Sequence, residues 1–224
     1  MSTSAAKPAV VKFYDSLIPS GNAHKVHLLL HQLEAPSYET IDLDILATPS
    51  ETRSAEFLAK NPNGRIPTVE LADGTFLPES NAILCYLAAG TPMLPDDPVE
   101  RAQTLQWLFF EQYSHERFVA VLKFWTYWGG LDKKTADEIA AWKTNGQAAI
   151  DVMERHLAAG PKEFFVAGRY TVADVALYAY TRSAEHVGYA VGPHVRAWLQ
   201  RVRDQPRYLP AKPDPLGKMP PDEA

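Results

Sequence analysis

The stretch from Gly64 to Leu84, GRIPTVELADGTFLPESNAIL, constrains this chain more than any other. Thr68 to Leu71 has the character of a short strand, and Pro67 precedes it. Proline has no N–H to give to a ladder, so it belongs at a strand start or on an edge. Ala72-Asp73-Gly74 supplies a hairpin turn, because Asp-Gly tolerates the positive φ of tight two-residue loops. Thr75-Phe76-Leu77 returns as a second strand. From Ser80 onward Ile83, Leu84, Leu87 and Ala88 take up the spacing of a helix that buries one face. A strand edge that opens at a proline, beside a helix that opens at Glu79-Ser80, sets free backbone groups next to an anion-seeking helix end. Such a junction suits a small peptide-like ligand.

The surrounding sequence extends this unit. Val10 to Tyr14 is a first strand, followed by a loop over 15–21 and a helix. In that helix Val26, Leu29, Leu30 and Leu33 form the buried face, which leaves His24, Lys25, His27 and His31 nearer solvent. Tyr38 to Asp42 alternates as a second strand. Ser54 to Ala59 is a short helix, stopped by Asn61-Pro62-Asn63-Gly64. The order over 10–90 is β-α-β-α-β-β-α, an α/β domain. Prolines and turn residues over 91–98 mark a linker. Beyond it, 99–205 is helical in pattern: a long aromatic-rich helix or two over 99–128, then helices over 134–157, 172–187 and 193–204. Thr171-Val172-Ala173-Asp174 is a capping box, flanked by Tyr170 and Val175 as a hydrophobic staple, which gives Asp174 a structural part. Residues 1–9 are expected to be a loose tail. The tail over 206–224, with six prolines, is expected on the surface or partly disordered.

Composition removes several functions. A formal net charge of −5 argues against nucleic acid or an anionic membrane as the main partner. No apolar run nears the roughly 20 residues of a membrane span, and the N-terminus lacks a signal-peptide core, so a cytoplasmic location is expected. The single cysteine, Cys85, excludes an internal disulfide and sits in an apolar stripe, as a packing residue does. No His or Cys spacing has the pattern of a metal site.

Taken together, the β-α-β-α-β-β-α half, the proline-rich linker and the all-helical second half resemble the cytosolic glutathione transferases. Ile66-Pro67-Thr68-Val69 resembles the family's cis-proline loop. Glu79-Ser80 within LPESNAILCYLA resembles its γ-glutamyl-binding turn, and Thr171 to Asp174 its helical-domain capping box. The likeness spans about residues 10–205. It implies a thioredoxin-like N-terminal domain that binds glutathione as co-substrate, an all-α C-terminal domain that completes the electrophile pocket, no metal, and a homodimer.

The resemblance also distributes roles. SGNAHKV, Ser20 to Val26, looks like the serine-type arrangement of theta-, phi- and nu-like bacterial members, with Ser20 facing the glutathione sulfur. Tyr14, Ser16 and Asn22 remain alternatives for that contact. Asn22 also fits the turn of the family's disulfide reductases. Ile66 would meet the cysteinyl backbone, with Pro67 in the cis form. Glu79 would take the γ-glutamyl ammonium, Ser80 the α-carboxylate, and Arg53 and Arg65 the glycyl carboxylate. Leu17, Ile18, Tyr113, Arg117, Phe118 and Trp125 are the expected wall for a hydrophobic electrophile, while His115 is a packing residue. The activity implied is thiolate attack on that electrophile. Reduction of a disulfide and non-catalytic ligand binding stand as alternatives.

Overall fold

The computed structural model describes residues 9–160 and 162–220. Most of the expected loose N-terminal tail, 1–8, and the last residues of the C-terminal one, 221–224, lie outside the described residues.

A four-stranded sheet of order β2-β1-β3-β4 forms the N-terminal half. Strand β1 (Val10–Ser16) pairs in parallel with β2 (Glu39–Leu43) and antiparallel with β3 (Thr68–Leu71), and β3 pairs antiparallel with β4 (Phe76–Pro78). Helices α1 (Gly21–Gln32), α2 (Ala55–Lys60) and α3 (Ser80–Ala88) complete the expected unit. The Asp73-Gly74 hairpin is present, with Gly74 at φ 84°. The Ile66–Pro67 bond is cis. Ladder pairing of β3 starts at Thr68, so Ile66 and Pro67 run past its end.

The second half is helical. Helix α4 (Pro98–Phe110) passes through a π-helical segment, Glu111–Glu116, into α5 (Arg117–Phe124), and a second π-helical segment, Trp125–Gly129, ends the rod. Helices α6 (Ala136–Ala158) and α7 (Val172–Thr181) pack against it, and α8 (Pro193–Arg203) packs on α6 and α7. Every residue of α7 is buried. Its capping box is formed: Asp174 Oδ2 accepts the Thr171 N–H at 2.9 Å, and its Oδ1 accepts from Trp198 Nε1 at 3.0 Å. Burial pushes the Asp174 carboxyl up to about 6.

Helix α1 departs from the sequence expectation. His24 and Lys25 are buried, not solvent-facing, while His31 is exposed. The reason is two-sided packing: α1 lies against α3 and also against α7. A one-sided hydrophobic stripe therefore underestimates how much of the helix is covered. The Pro-rich tail, as far as Pro220, crosses the surface but is tied down. His24 Nε2 donates to the Leu209 carbonyl at 2.8 Å, Lys212 Nζ pairs with Asp15 and Asp42 at 2.8 Å each, and Trp128 Nε1 donates to Asp214 at 3.2 Å.

Candidate active site

The N-terminus of α1 sets the position of the site. Ser20 is the N-cap, in extended conformation, and its Oγ accepts the Ala23 N–H at 3.4 Å. A hydroxyl that accepts a helix N–H keeps its own hydrogen for a group placed above it. Tyr180, from α7, joins it: its hydroxyl accepts the Asn22 N–H at 3.2 Å and hydrogen-bonds the Ser20 hydroxyl, which leaves one hydroxyl hydrogen of the pair for a ligand. Burial holds the Tyr180 phenol well above its usual range, so it stays a donor. Gly21 permits this approach, since a Cβ there would stand 2.5 Å from a Tyr180 ring carbon.

Asn22 is held from three sides. Its Nδ2 donates to Glu116 Oε1 at 3.0 Å, and its Oδ1 accepts from Lys25 Nζ at 2.8 Å and Ser80 Oγ at 3.2 Å. Lys25 in turn forms a fully buried ion pair with Glu111 Oε2 at 2.8 Å. Glu111 Oε2 also accepts from Asn81 Nδ2 at 3.0 Å and Gln112 Nε2 at 2.9 Å. This network joins α1, α3 and the first π-helical segment. Such π segments re-aim side chains and recur at functional sites. Here the segment turns Glu111 and Glu116 toward α1. Burial raises the Glu116 carboxyl above its ordinary value.

Two neighbouring hollows flank this helix end. The larger, about 470 Å³, is lined by Ile18, Ser20, Asn22 and Arg53 on one side and Lys123, Phe124, Trp125, Trp128 and Tyr180 on the other. A smaller polar recess of about 230 Å³ is lined by Asn63, Ile66, Pro67, Glu79, Ser80 and Gln112. Asn22, Arg65, Ile66 and Glu116 border both. Glu79 holds φ 70° at the start of α3, with its side chain exposed. Arg53 Nη1 donates to the Asn63 carbonyl at 3.1 Å.

The structure brings Ser20, Asn22, Arg53, Arg65, Ile66, Pro67, Glu79, Ser80, Ile18 and Trp125 to this cleft. Tyr14 is a correction. Its hydroxyl donates to Glu70 Oε2 at 3.2 Å and its ring packs on Phe57, which puts it behind the sheet and lifts its pKa to about 12 by burial and the Glu70 charge. Ser16 is also turned away, buried, with its Oγ donating to the Ile18 carbonyl at 2.5 Å. Four expected wall residues are absent from the cleft lining: Leu17, Tyr113, Arg117 and Phe118. Leu17 and Tyr113 are solvent-exposed at 46% and 73%. Arg117 stacks against Tyr113 and Phe118 on the outer side of the rod. Cys85 is half-buried, and burial raises its thiol pKa. His115 is fully buried, paired with Thr181 Oγ1 at 2.9 Å. Among the described residues no cluster of three or more His, Cys, Asp or Glu is arranged to hold a metal, and no helix is long and apolar enough to cross a membrane.

Sequence reasoning missed Lys25, Glu111, Glu116, Lys123 and Tyr180. The π segment that presents two of them, Glu111 and Glu116, carries no sequence signal, and Tyr180 lies 158 residues from its partner Asn22.

Comparison with known proteins decides the family. Residues 19–89 match the model of the glutathione S-transferase N-terminal domain, and 136–201 match that of the C-terminal domain. The chain belongs to the glutathione S-transferase family. A glutathione S-transferase crystal structure from Pseudomonas fluorescens superimposes with a TM-score of 0.84 at 45% identity, covering 90% of this chain and 98% of that one. The disulfide-bond oxidoreductase YfcG of Escherichia coli K12 is 31% identical over 84% of this chain and 88% of its own. A glutathione S-transferase-like protein of Aspergillus aculeatus is 30% identical over 75% of this chain and 84% of its own. The fold expected from the resemblance, a mixed sheet domain followed by a helical domain, is the transferase fold.

Proposed function

We propose that this transferase-family protein binds glutathione and uses its thiolate to attack a hydrophobic electrophile. One observation carries the reading: the α1 N-terminus, with the Ser20 and Tyr180 hydroxyls, sits where the polar recess meets the aromatic hollow. The γ-glutamyl group would occupy the recess, its ammonium on Glu79 and its α-carboxylate on Ser80. The cysteinyl backbone would pair with Ile66 beyond the end of β3, in the manner of strand addition. Arg53 and Arg65 would meet the glycyl carboxylate. The sulfur would then lie over Ser20 and Asn22, facing Ile18, Phe124 and Trp125.

The energetics suffice. Lowering a thiol from about 8.5 to about 6.5 takes roughly 2.7 kcal/mol of preference for the anion. A hydrogen bond to a charged group contributes about 1.5–3 kcal/mol, and a helix N-terminus about 0.3–1 kcal/mol. Ser20, helped by Tyr180, and the helix end meet that need without a metal or general base.

Disulfide reduction is the second reading. The Ser20-Gly21-Asn22 turn and the likeness to YfcG favour it, since the same bound thiolate can attack a disulfide sulfur. The reading includes two units, 10–90 and 99–205, joined by 91–98. It also includes a homodimer and a cytoplasmic location; exposed Phe109 and Tyr113 and the lone cysteine support these. A turnover screen of glutathione against a model aryl halide and a mixed disulfide tests the function. Conjugate from the halide supports the first reading and reduction alone the second. Glutathione binding without either turnover would leave a ligand-binding module and refute both.

A further inference from the structure

Lys123 is used by nothing described so far. It sits on α5, 2% exposed, and lines the aromatic hollow opposite Ser20. Its Nζ is buried with no hydrogen-bond partner. Two aromatic faces lie near it, Tyr180 at 5.8 Å and Trp128 at 6.0 Å from Nζ to ring centroid. A lysine amine brought out of water normally acquires a carboxylate or loses its charge. Asp214, the acid whose charge acts on it among the described residues, is already occupied. Its oxygens accept from Trp128 Nε1 and from the main-chain N–H groups of Leu216, Lys218 and Met219. The Arg182 guanidinium adds positive charge from the end of α7, and burial together with that charge drives the lysine well below its usual range.

The surroundings specify what would satisfy this amine. The hollow is open to solvent on the cleft side and walled by Ile18, Val121, Phe124, Trp125 and Trp128. A ligand entering over the sulfur position meets an apolar channel whose far wall includes the Lys123 side chain, with the unpaired Nζ buried behind that wall and within reach once the lysine side chain turns outward. We propose that Lys123 binds a carboxylate on the second substrate, so that the cleft selects apolar electrophiles or disulfides that carry an acid group. The lysine takes up a proton as the carboxylate arrives, and the pair forms where water is excluded. Lys123 is then a specificity determinant, with no part in activating the thiol. The proposal rests on glutathione occupying the cleft as set out above.

Two S-conjugates of equal length separate the possibilities: S-hexylglutathione and S-(5-carboxypentyl)glutathione. Calorimetric titration of the wild-type protein in buffers of different ionisation enthalpy measures affinity and proton uptake together. The carboxylated conjugate is expected to bind at least about ten-fold more tightly, with a proton uptake that the hexyl conjugate does not show. In Lys123→Met the preference is expected to reverse and the proton uptake to vanish. Should that variant fail to fold, the wild-type comparison decides alone. Binding of glutathione and the hexyl conjugate with no preference for the carboxylate would overturn the role of Lys123 and leave the glutathione site standing. Failure of glutathione itself to bind would overturn both.

Discussion

Replacing Lys25 by methionine removes the cation from a pair in which both side chains are wholly inaccessible to solvent. The Glu111 carboxylate then keeps only the amides of Asn81 and Gln112, and its other oxygen, Oε1, already lacks a partner. Breaking a buried pair from one side costs about 3–5 kcal/mol, because a charge is left without compensation. Replacing both partners by apolar groups is often near neutral. Lys25→Met is therefore expected to lower the free energy of unfolding by about 3–5 kcal/mol. Lys25→Met/Glu111→Leu should recover most of it. The site responds differently. Asn22 Oδ1 loses its 2.8 Å donor and Ser80 Oγ its 3.4 Å donor in both variants. Glutathione affinity should thus stay depressed, by about ten-fold for a lost hydrogen bond of roughly 1.4 kcal/mol, even where stability returns. Urea unfolding and calorimetric titration of the two variants measure these quantities separately. A single variant that unfolds within about 1 kcal/mol of wild type, or a stable double variant with undiminished affinity, would refute the reasoning.

Two further outcomes follow from the placement of buried groups. Tyr14→Phe should leave the thiol titration of bound glutathione unchanged, because that hydroxyl is engaged by Glu70 behind the sheet; a raised thiol pKa would return Tyr14 to the site. His24 is buried with its pKa driven down to about 3, chiefly by desolvation, whereas an unfolded histidine titrates near about 6.5. Its contribution is therefore full above the unfolded value and is withdrawn as pH falls toward the folded one. The slope is at most about 1.4 kcal/mol per pH unit. His24→Gln, whose Nε2 reaches the position of the imidazole Nε2 and can still donate to the Leu209 carbonyl, should lose stability less steeply between about pH 6 and 4. Parallel urea midpoints for the two proteins across that range would contradict the assignment.

The parts of this molecule that were legible in the sequence are those set by local chemistry. The Asp73-Gly74 hairpin, the strand start at Pro67, the helix start at Ser80 and the Thr171–Asp174 box each depend on neighbours within a few residues. The expectations that failed concern surfaces that meet from distant segments. Lys25 looked solvent-facing because a charge beside an apolar stripe usually is, yet α7 and Glu111 close over it. Lys123 and Tyr180 enter the cleft from the helical half and follow no motif. Leu17 and Tyr113 failed for the opposite reason, since an exposed apolar side chain and a pocket wall have the same composition. The proline-rich tail was expected, on composition alone, to lie on the surface or be partly disordered. Residues 206–220 are instead anchored by single polar contacts, Leu209 to His24 and Lys212 to Asp15, which hydrophobic patterning does not register.

The central claim is that the start of α1 holds the glutathione sulfur as an anion, with the Ser20 hydroxyl as a principal donor. Ultraviolet thiolate absorbance of the glutathione complex, titrated against pH for wild type and Ser20→Ala, tests it directly. The wild-type complex should titrate about two units below the free thiol, and the variant should move back by about one unit or more while still binding glutathione. Superimposable curves, or a wild-type thiol that titrates as it does in water, would contradict the account.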